Sequence, residues 1–412
     1  MTDFELKLSE AKNFLADVDS AQKNAALFRI ASDLVERQDE IIEANRQDIE
    51  AGRAAGLSDG LIDRLTLGPA RIAGVAEGVR QVAALEDPCG RVLETVQRPN
   101  GLVIKKVSVP IGVIGIIYES RPNVTADAAA LCIKSSNAVV LRGGKEAIRS
   151  NIAISEIMRD AVAKEGFPKD VIYLVQDTSR ASAQKMMKMK GVLDCLIPRG
   201  GKGLIQSVVE NSTVPVIETG SGNCHIYIDA SADVEQAVNI VFNAKTQRVS
   251  VCNACESLVI HSEILPKVLP GIVQKLKTKQ VEVRGDERAR AVCPELVPAA
   301  EEDFGTEYLD YIISVKTVDS LEEAIDHINR YSTKHSEAIL TQNMENAEKF
   351  MRLVDSSSVY VNASTRFTDG FEFGLGAEIG ISTQKLHARG PMGLRELTTT
   401  KYLIYGSGQI RE

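Results

Sequence analysis

The rhythm of apolar positions changes along the chain. From Ala25 to Ile42, Leu27, Ile30, Ala31, Leu34, Val35, Ile41 and Ile42 recur near the helical period of about 3.6, with charges opposite, and predict an amphipathic helix. A second helical pattern covers Ala70 to Leu85, opened by Pro69 and stopped at Asp87–Pro88. LETVQRPNGLVIKKVSVP reads as two extended runs joined through Pro99–Asn100–Gly101. So polar a hairpin projects from the body, either as a surface arm or as a dimerisation strand.

From Ile111 the pattern becomes strand, turn, helix. Strands are predicted at Val113–Tyr118, Ala138–Leu141, Val171–Val175, Leu193–Ile197 and Val214–Ile217, with helical stretches between them. Continuous apolar strands alternating with helices predict an α/β fold with a doubly wound parallel sheet, whose ligands sit at the carboxyl ends of the strands. A second α/β lobe begins near Asn223. Its helices are predicted in VEQAVNIVFNAKTQ, at Ile264–Leu276 and at Leu321–Arg330. Its strands are SLVIH, Val281–Val283, Tyr311–Val315, Ala338–Leu340 and Ser358–Val361. The tail from Phe371 is glycine-rich and ends in extended TTTKYLIYG.

Length and composition narrow the function classes. A chain of 412 residues suits two or three lobes, and 44% hydrophobic with 25% charged residues excludes a disordered or fibrous protein. The net charge of −8, with the signs intermixed, disfavours nucleic acid and an anionic membrane as partners. No apolar run reaches the roughly 18 residues of a spanning helix, and MTDFELKLSEAK lacks the apolar core of a signal peptide. Seven cysteines without framework spacing read as reduced thiols, which predicts a cytoplasmic protein.

Two turns follow strands of the first sheet: Arg142, Gly143, Gly144 and Lys145 in VVLRGGKEAI, and Arg199, Gly200, Gly201 and Lys202 in IPRGGKGLI. Glycines there let backbone N–H groups approach a phosphate at a helix N-terminus. Neither turn is a P-loop or a G-x-G-x-x-G fingerprint, but two on one sheet predict a dinucleotide site. In QRVSVCNACESLVIH, Cys252 and Cys255 have C-x-x-C spacing. Zinc needs four ligands and a second paired motif is missing, although Cys224, His225 and His261 are within the same lobe. Two buried thiols, a redox pair, or one nucleophile are the other readings. Glu218, after an apolar strand in VIETGSGNCHIYID, is a base or a ligand of backbone amides. Thr365 and Arg366 in VNASTRFTDGFEFG stand in a polar loop where a guanidinium can grip a carboxylate bidentately, a solvated surface arginine being the alternative. His327, His335 and His387 show no partner spacing and read as structural.

With these stretches in view, the chain resembles the aldehyde dehydrogenase superfamily and, within it, the γ-glutamyl phosphate reductase branch. The resemblance rests on GLSDGLIDRLTLGPARIAGVAEGVRQVAALEDP, VPIGVIGIIYESRPNVTADAAALCIKSSNAVVLRGGKEA, VIETGSGNCHIYID, NAKTQRVSVCNACESL, VDSLEEAIDHINRYSTKHSEAI and VNASTRFTDGFEFGLGAEIGISTQKLHARGPMGLRELTTTKY. It implies an NADP-binding domain over 1–222 with the projecting hairpin at about 92–110, and a catalytic domain over 223–356. Residues 357–412 would be a return segment with oligomerisation strands. It also implies that NADPH reduces L-glutamyl 5-phosphate to glutamate 5-semialdehyde in proline biosynthesis. Cys252 falls on the nucleophile position and Cys255 does not. Glu302 falls where relatives contact the nicotinamide ribose. Lys145 stands where NAD-preferring relatives carry a glutamate, which suits the 2′-phosphate of NADP. No metal is implied, a homo-oligomer is, and the lack of the kinase found in fused relatives implies a separate glutamate 5-kinase.

Departures from the family pattern leave alternatives open. Glu218 stands in E-T-G-S-G rather than E-L-G-G, so it is a base or a structural carboxylate. Arg121 and Asn123 compete for the place of the oxyanion asparagine, and Val249 replaces an expected proline.

Overall fold

The computed structural model describes residues 2–411. It divides into two compact units. The first takes the described residues up to Thr219, then Gly374–Gly380 and Met392 onward; the second takes Gly220–Phe373 and Ile381–Pro391.

The first unit opens with five helices: α1 (Asp3–Ala16), α2 (Ser20–Glu36), α3 (Gln38–Ala54), α4 (Asp59–Leu65) and α5 (Pro69–Ala84). The single helix predicted from Ala25 is two, broken at Arg37, where φ −103° and ψ 22° leave the helical region. Leu34 and Ile41 are buried on either side of the break, so the apolar stripe runs on and hides the joint. α3 continues past Ile42 on a buried face that is polar. Asn45 donates to the Leu65 carbonyl at 2.8 Å, and Asp48 accepts from the Ser150 amide at 2.8 Å.

Then follow β1 (Val92–Gln97), β2 (Val103–Pro110), β3 (Val113–Tyr118), α6 (Asn123–Lys134), β4 (Ala138–Arg142), α7 (Ile148–Lys164), β5 (Ile172–Leu174), α8 (Arg180–Met187), β6 (Cys195–Arg199) and α9 (Lys202–Asn211). β1 and β2 are the expected antiparallel hairpin, turning through Gly101 at φ +88°. Strands β5-β4-β3-β6 form a parallel sheet whose middle strands are buried because their apolar runs face helices on both sides. Val214–Ile217, predicted as a fifth strand, makes only an isolated bridge to Leu196. Pro215 has no N–H to donate, so its carbonyl accepts from Leu196 while the ladder stops.

The second unit contains β7 (Cys224–Ile228), α10 (Val234–Thr246), β8 (Cys255–His261), α11 (Leu265–Lys277), β9 (Glu282–Gly285), α12 (Glu287–Val292), β10 (Val297–Pro298), β11 (Ile312–Val318), α13 (Leu321–Tyr331), β12 (Ser336–Leu340), α14 (Met344–Leu353) and β13 (Ser358–Val361). Its seven strands run parallel in the order β10-β9-β11-β8-β7-β12-β13. Alternate residues feed two cores. Ile226, Leu258 and Leu340 pack with α10 and α11, while Tyr227, Val259 and Ile339 pack with α13 and α14. Two short strands, β14 (Gly380–Ser382) and β15 (Gly390–Met392), pair with each other. The last strand, β16 (Thr398–Tyr405), lies antiparallel to β2 in a three-stranded sheet with the hairpin. Tyr402, Ile404 and Tyr405 on it are exposed. Among the described residues no helix is long and apolar enough to cross a membrane.

Candidate active site

The loop between α10 and β8 carries Cys252. Five of the seven cysteines are buried, leaving Cys89 and Cys252 partly exposed. Burial pushes the thiols of Cys89, Cys132, Cys195, Cys224, Cys255 and Cys293 up, that of Cys195 to about 12. A thiol nucleophile works as the thiolate, so these six are poorly suited to the task. Cys255 is inside β8 and directs its sulfur to the Ser257 carbonyl at 3.4 Å. The C-x-x-C spacing therefore joins one loop cysteine to one core cysteine. Among the described residues there is no group of three or more His, Cys, Asp and Glu side chains placed to hold a metal.

The Cys252 loop is fixed from three directions within the second unit. Gly222 approaches so closely that a Cβ built on it would lie 1.4 Å from the Cys252 carbonyl oxygen. The Gly222 amide donates to Glu307 Oε1 at 2.6 Å, and Cys224 Sγ donates to the Cys252 carbonyl at 3.1 Å. At the loop's ends, Lys245 in the last turn of α10 meets Glu256 in β8, Nζ to Oε2 at 2.6 Å, with both side chains fully buried. Burial raises the Glu256 carboxyl to about 7 in spite of Lys245. Asn253, next to the nucleophile candidate, donates from Nδ2 to the carbonyls of Arg366 and Thr368 at 3.3 and 2.9 Å. Its own carbonyl accepts from the Thr365 hydroxyl at 2.8 Å.

Those bonds place Thr365 and Arg366 beside the Cys252 loop. Thr365 is fully buried, its hydroxyl spent on Asn253. Arg366 is half-buried and donates from Nε to Gln247 Oε1 at 2.8 Å. Desolvation lowers its pKa, opposed chiefly by Asp369 and then by Cys252. Glu302 is exposed in the 3-10 turn Glu301–Gly305 of the same unit.

The remaining candidates belong to the first unit. β4 ends in Arg142, and Lys145, exposed, begins the 3-10 turn that leads into α7. Gly143 has no space for a side chain: a Cβ would fall 2.1 Å from Asn151 Nδ2 and 3.1 Å from the Tyr118 ring. Arg142 turns Nη2 to the carbonyls of Thr178 and Ser179 at 2.6 and 2.9 Å, and desolvation lowers its pKa. At the second turn, β6 delivers Arg199 and Gly200, and Gly201 caps α9. There the Gly201 amide donates to Glu119 Oε2 at 3.0 Å. A carboxylate on this amide shows that it is directed to receive an anion. Glu146 accepts from both the amide and hydroxyl of Ser120, at 2.6 and 2.8 Å. Arg121 precedes α6, whose first residue, Asn123, donates to Asp127 Oδ2 at 2.9 Å. Burial raises the Asp127 carboxyl to about 6. Glu218 is half-buried next to Thr219, whose hydroxyl donates to the Pro198 carbonyl at 2.7 Å.

Sequence reasoning missed Gly222, Asn253 and the Lys245–Glu256 pair. A glycine in GSGNC was visible, but close approach to a loop some thirty residues on was not, and a buried ion pair leaves no periodic trace.

The model of the aldehyde dehydrogenase family matches residues 7–294 and 294–402. A protein of Lachnospira eligens named gamma-glutamyl phosphate reductase is 57% identical over 407 residues, covering 99% of this chain and 98% of that protein. One of Clostridium novyi with the same name is 58% identical over 394 residues, 96% of this chain and 94% of its own. The crystal structure of gamma-glutamyl phosphate reductase from Thermotoga maritima superposes with a TM-score of 0.98 at 50% identity, covering 100% of this chain and 99% of that one. On this match, which spans nearly the whole chain, the protein belongs to the aldehyde dehydrogenase family, in its γ-glutamyl phosphate reductase branch.

Proposed function

We propose that this chain reduces L-glutamyl 5-phosphate to L-glutamate 5-semialdehyde and phosphate with NADP(H), as a cytoplasmic homo-oligomeric enzyme of proline biosynthesis working downstream of a glutamate 5-kinase. The observation that carries the reading is Cys252. It is a partly exposed thiol on a loop locked by Gly222, Asn253 and the Lys245–Glu256 pair, in a chain whose named relatives are reductases of this kind.

An acyl phosphate calls for a nucleophile that can also leave. The Cys252 thiolate attacks the γ-carbonyl carbon, the carbon–oxygen bond to phosphate breaks, and phosphate departs as a thioester forms. A nicotinamide held by the turns of the first unit would supply hydride to that carbonyl. Collapse of the resulting hemithioacetal breaks the carbon–sulfur bond and returns the thiolate with the aldehyde. The Cys252 amide is one donor for the oxyanion, with Arg121 and Asn123 as candidates for the second. Glu218 stands as the base of a hydrolytic side path or as a structural carboxylate. The turns at Arg142–Lys145 and Arg199–Gly201 would hold the cofactor: the Gly201 amide already takes a carboxylate, and Lys145, exposed after β4, provides a cation for a 2′-phosphate. Glu302 would take the nicotinamide ribose. Thr365 and Arg366 would form the substrate-binding strap, with the Arg366 guanidinium on the α-carboxylate. The exposed apolar edge of β16 beside the hairpin supports the oligomer.

The test is reduction of NADP⁺ by glutamate 5-semialdehyde with and without phosphate. Phosphate-dependent turnover that Cys252→Ala abolishes and Cys255→Ala leaves in place is expected. Turnover without phosphate would overturn the reading and make the chain a hydrolytic dehydrogenase.

A further inference from the structure

The strap from Ser364 to Asp369 is held by buried side chains and presents two opposite charges. Thr365 is anchored on Asn253, and Thr368, also fully buried, shares its hydroxyl with Ser336 Oγ and Tyr360 Oη, each at 2.6 Å. Between and after these anchors come Arg366 and Asp369, both half-buried. Among the described residues the Arg366 side chain has one hydrogen bond, from Nε to Gln247, and no carboxylate within salt-bridge distance. Arg284 and Arg288 of the same unit, by contrast, grip Asp303 and Asp319 at 2.8 and 2.6 Å. Asp369 accepts the Phe371 amide on Oδ1 at 2.9 Å and likewise has no cation within salt-bridge distance among the described residues. It is nevertheless the opposite charge that acts most strongly on Arg366, and Cys252 is the next. A half-buried guanidinium and carboxylate three residues apart on an anchored strap, with no ion pair between them, match a ligand that carries both charges on one carbon.

We propose that Asp369 is a specificity-determining residue that receives the α-ammonium group of the substrate while Arg366 holds its α-carboxylate, so that the strap selects α-amino acids over simple carboxylic acids. This rests on the reductase reading and goes beyond it: Arg366 alone would accept any ω-aldehyde acid. The Asn253 latch ties the two charges to the residue beside Cys252, which fixes the distance from the zwitterionic end to the reacting carbonyl.

The experiment compares kcat/KM for glutamate 5-semialdehyde and for 5-oxopentanoate, the same aldehyde without the amino group, in phosphate-dependent NADP⁺ reduction. Asp369→Asn retains the acceptor for Phe371 and removes the charge. It should reduce the preference for the amino substrate by about tenfold to a hundredfold, the range for a hydrogen bond to a charged group. The change should lie in KM and be larger for glutamate 5-semialdehyde than for 5-oxopentanoate, with Asp369→Glu restoring part of the preference. An unchanged ratio, or an equal fall with both substrates, overturns the assignment. Wild-type enzyme that fails to oxidise glutamate 5-semialdehyde with phosphate would instead sink the reductase reading itself.

Discussion

Two pairs of opposite charges flank the Cys252 segment of the second unit, and they are built in contrasting ways. Lys245 and Glu256 are fully buried and in contact at 2.6 Å, and the second oxygen of Glu256 accepts the Leu309 amide at 3.1 Å. Arg366 and Asp369 are half-buried, feel each other, and stay apart. Removing two charges from water costs several kcal/mol per ion, which only close contact and further hydrogen bonds offset. The first pair has met that condition internally and so acts as a clamp on both ends of the Cys252 loop. The second leaves it to be met from outside, as the proposed role of the strap requires.

Breaking the closed pair should have the largest effect. Lys245→Met leaves the buried Glu256 carboxyl without its hydrogen-bond donor and is expected to cost about 1–3 kcal/mol in chemical denaturation. The double variant Lys245→Met, Glu256→Leu should recover most of that loss, since an apolar pair of similar volume needs no neutralisation. A single variant no less stable than wild type would show that the clamp is not what holds the loop. Next comes Gly222→Ala. Its methyl cannot coexist with the Cys252 carbonyl 1.4 Å away, so the loop must shift by an ångström or more. A displacement of that size is expected to lower kcat by about a hundredfold, measured in the phosphate-dependent assay.

The open pair should behave in the opposite way. Arg366→Gln removes a charge that forms no salt bridge among the described residues, so stability should stay within about 1 kcal/mol. Activity should not: kcat/KM for glutamate 5-semialdehyde is expected to fall about tenfold to a hundredfold, mainly through KM. Loss of stability without a change in KM would move Arg366 to the side of the clamp.

Much of this was legible in the sequence, and the failures have physical causes. Buried parallel strands such as VIGIIY announce themselves as uninterrupted apolar runs, and β3, β4 and β8 were found for that reason. Val214–Ile217 has the same composition, but Pro215 cannot donate into a ladder, and composition outweighed that single missing N–H. The helix joint at Arg37 was invisible because a stripe of Leu34 and Ile41 serves one helix or two equally well. Of the candidate site, Cys252 and Arg366 stand out by residue type and family motif. The supports do not: Gly222, Asn253, Lys245 and Glu256 matter through distances that only the fold creates.

The smallest expected effect, per step of measurement, concerns pH and tests what kind of clamp Lys245 and Glu256 form. Burial is the largest influence on the Glu256 carboxyl and raises it to about 7, with Lys245 pulling down and Glu307 pushing up. In the unfolded chain it titrates near its ordinary value of 4.5. Between those values the native state keeps a proton that the unfolded state has released. Its contribution to stability is therefore complete below about pH 4.5 and is lost as pH rises through about 7. Other carboxylates, among them Asp319 and Asp355, are held low by their cations and slope the opposite way. The useful quantity is thus the difference between wild type and Glu256→Gln, which keeps the side chain's shape without the titration. Wild type minus variant should fall from pH 5 to pH 8, by at most about 1.4 kcal/mol per pH unit for one proton. A difference that rises with pH would mean that attraction to Lys245 outweighs burial, and that the carboxylate rather than the acid is the form the fold prefers.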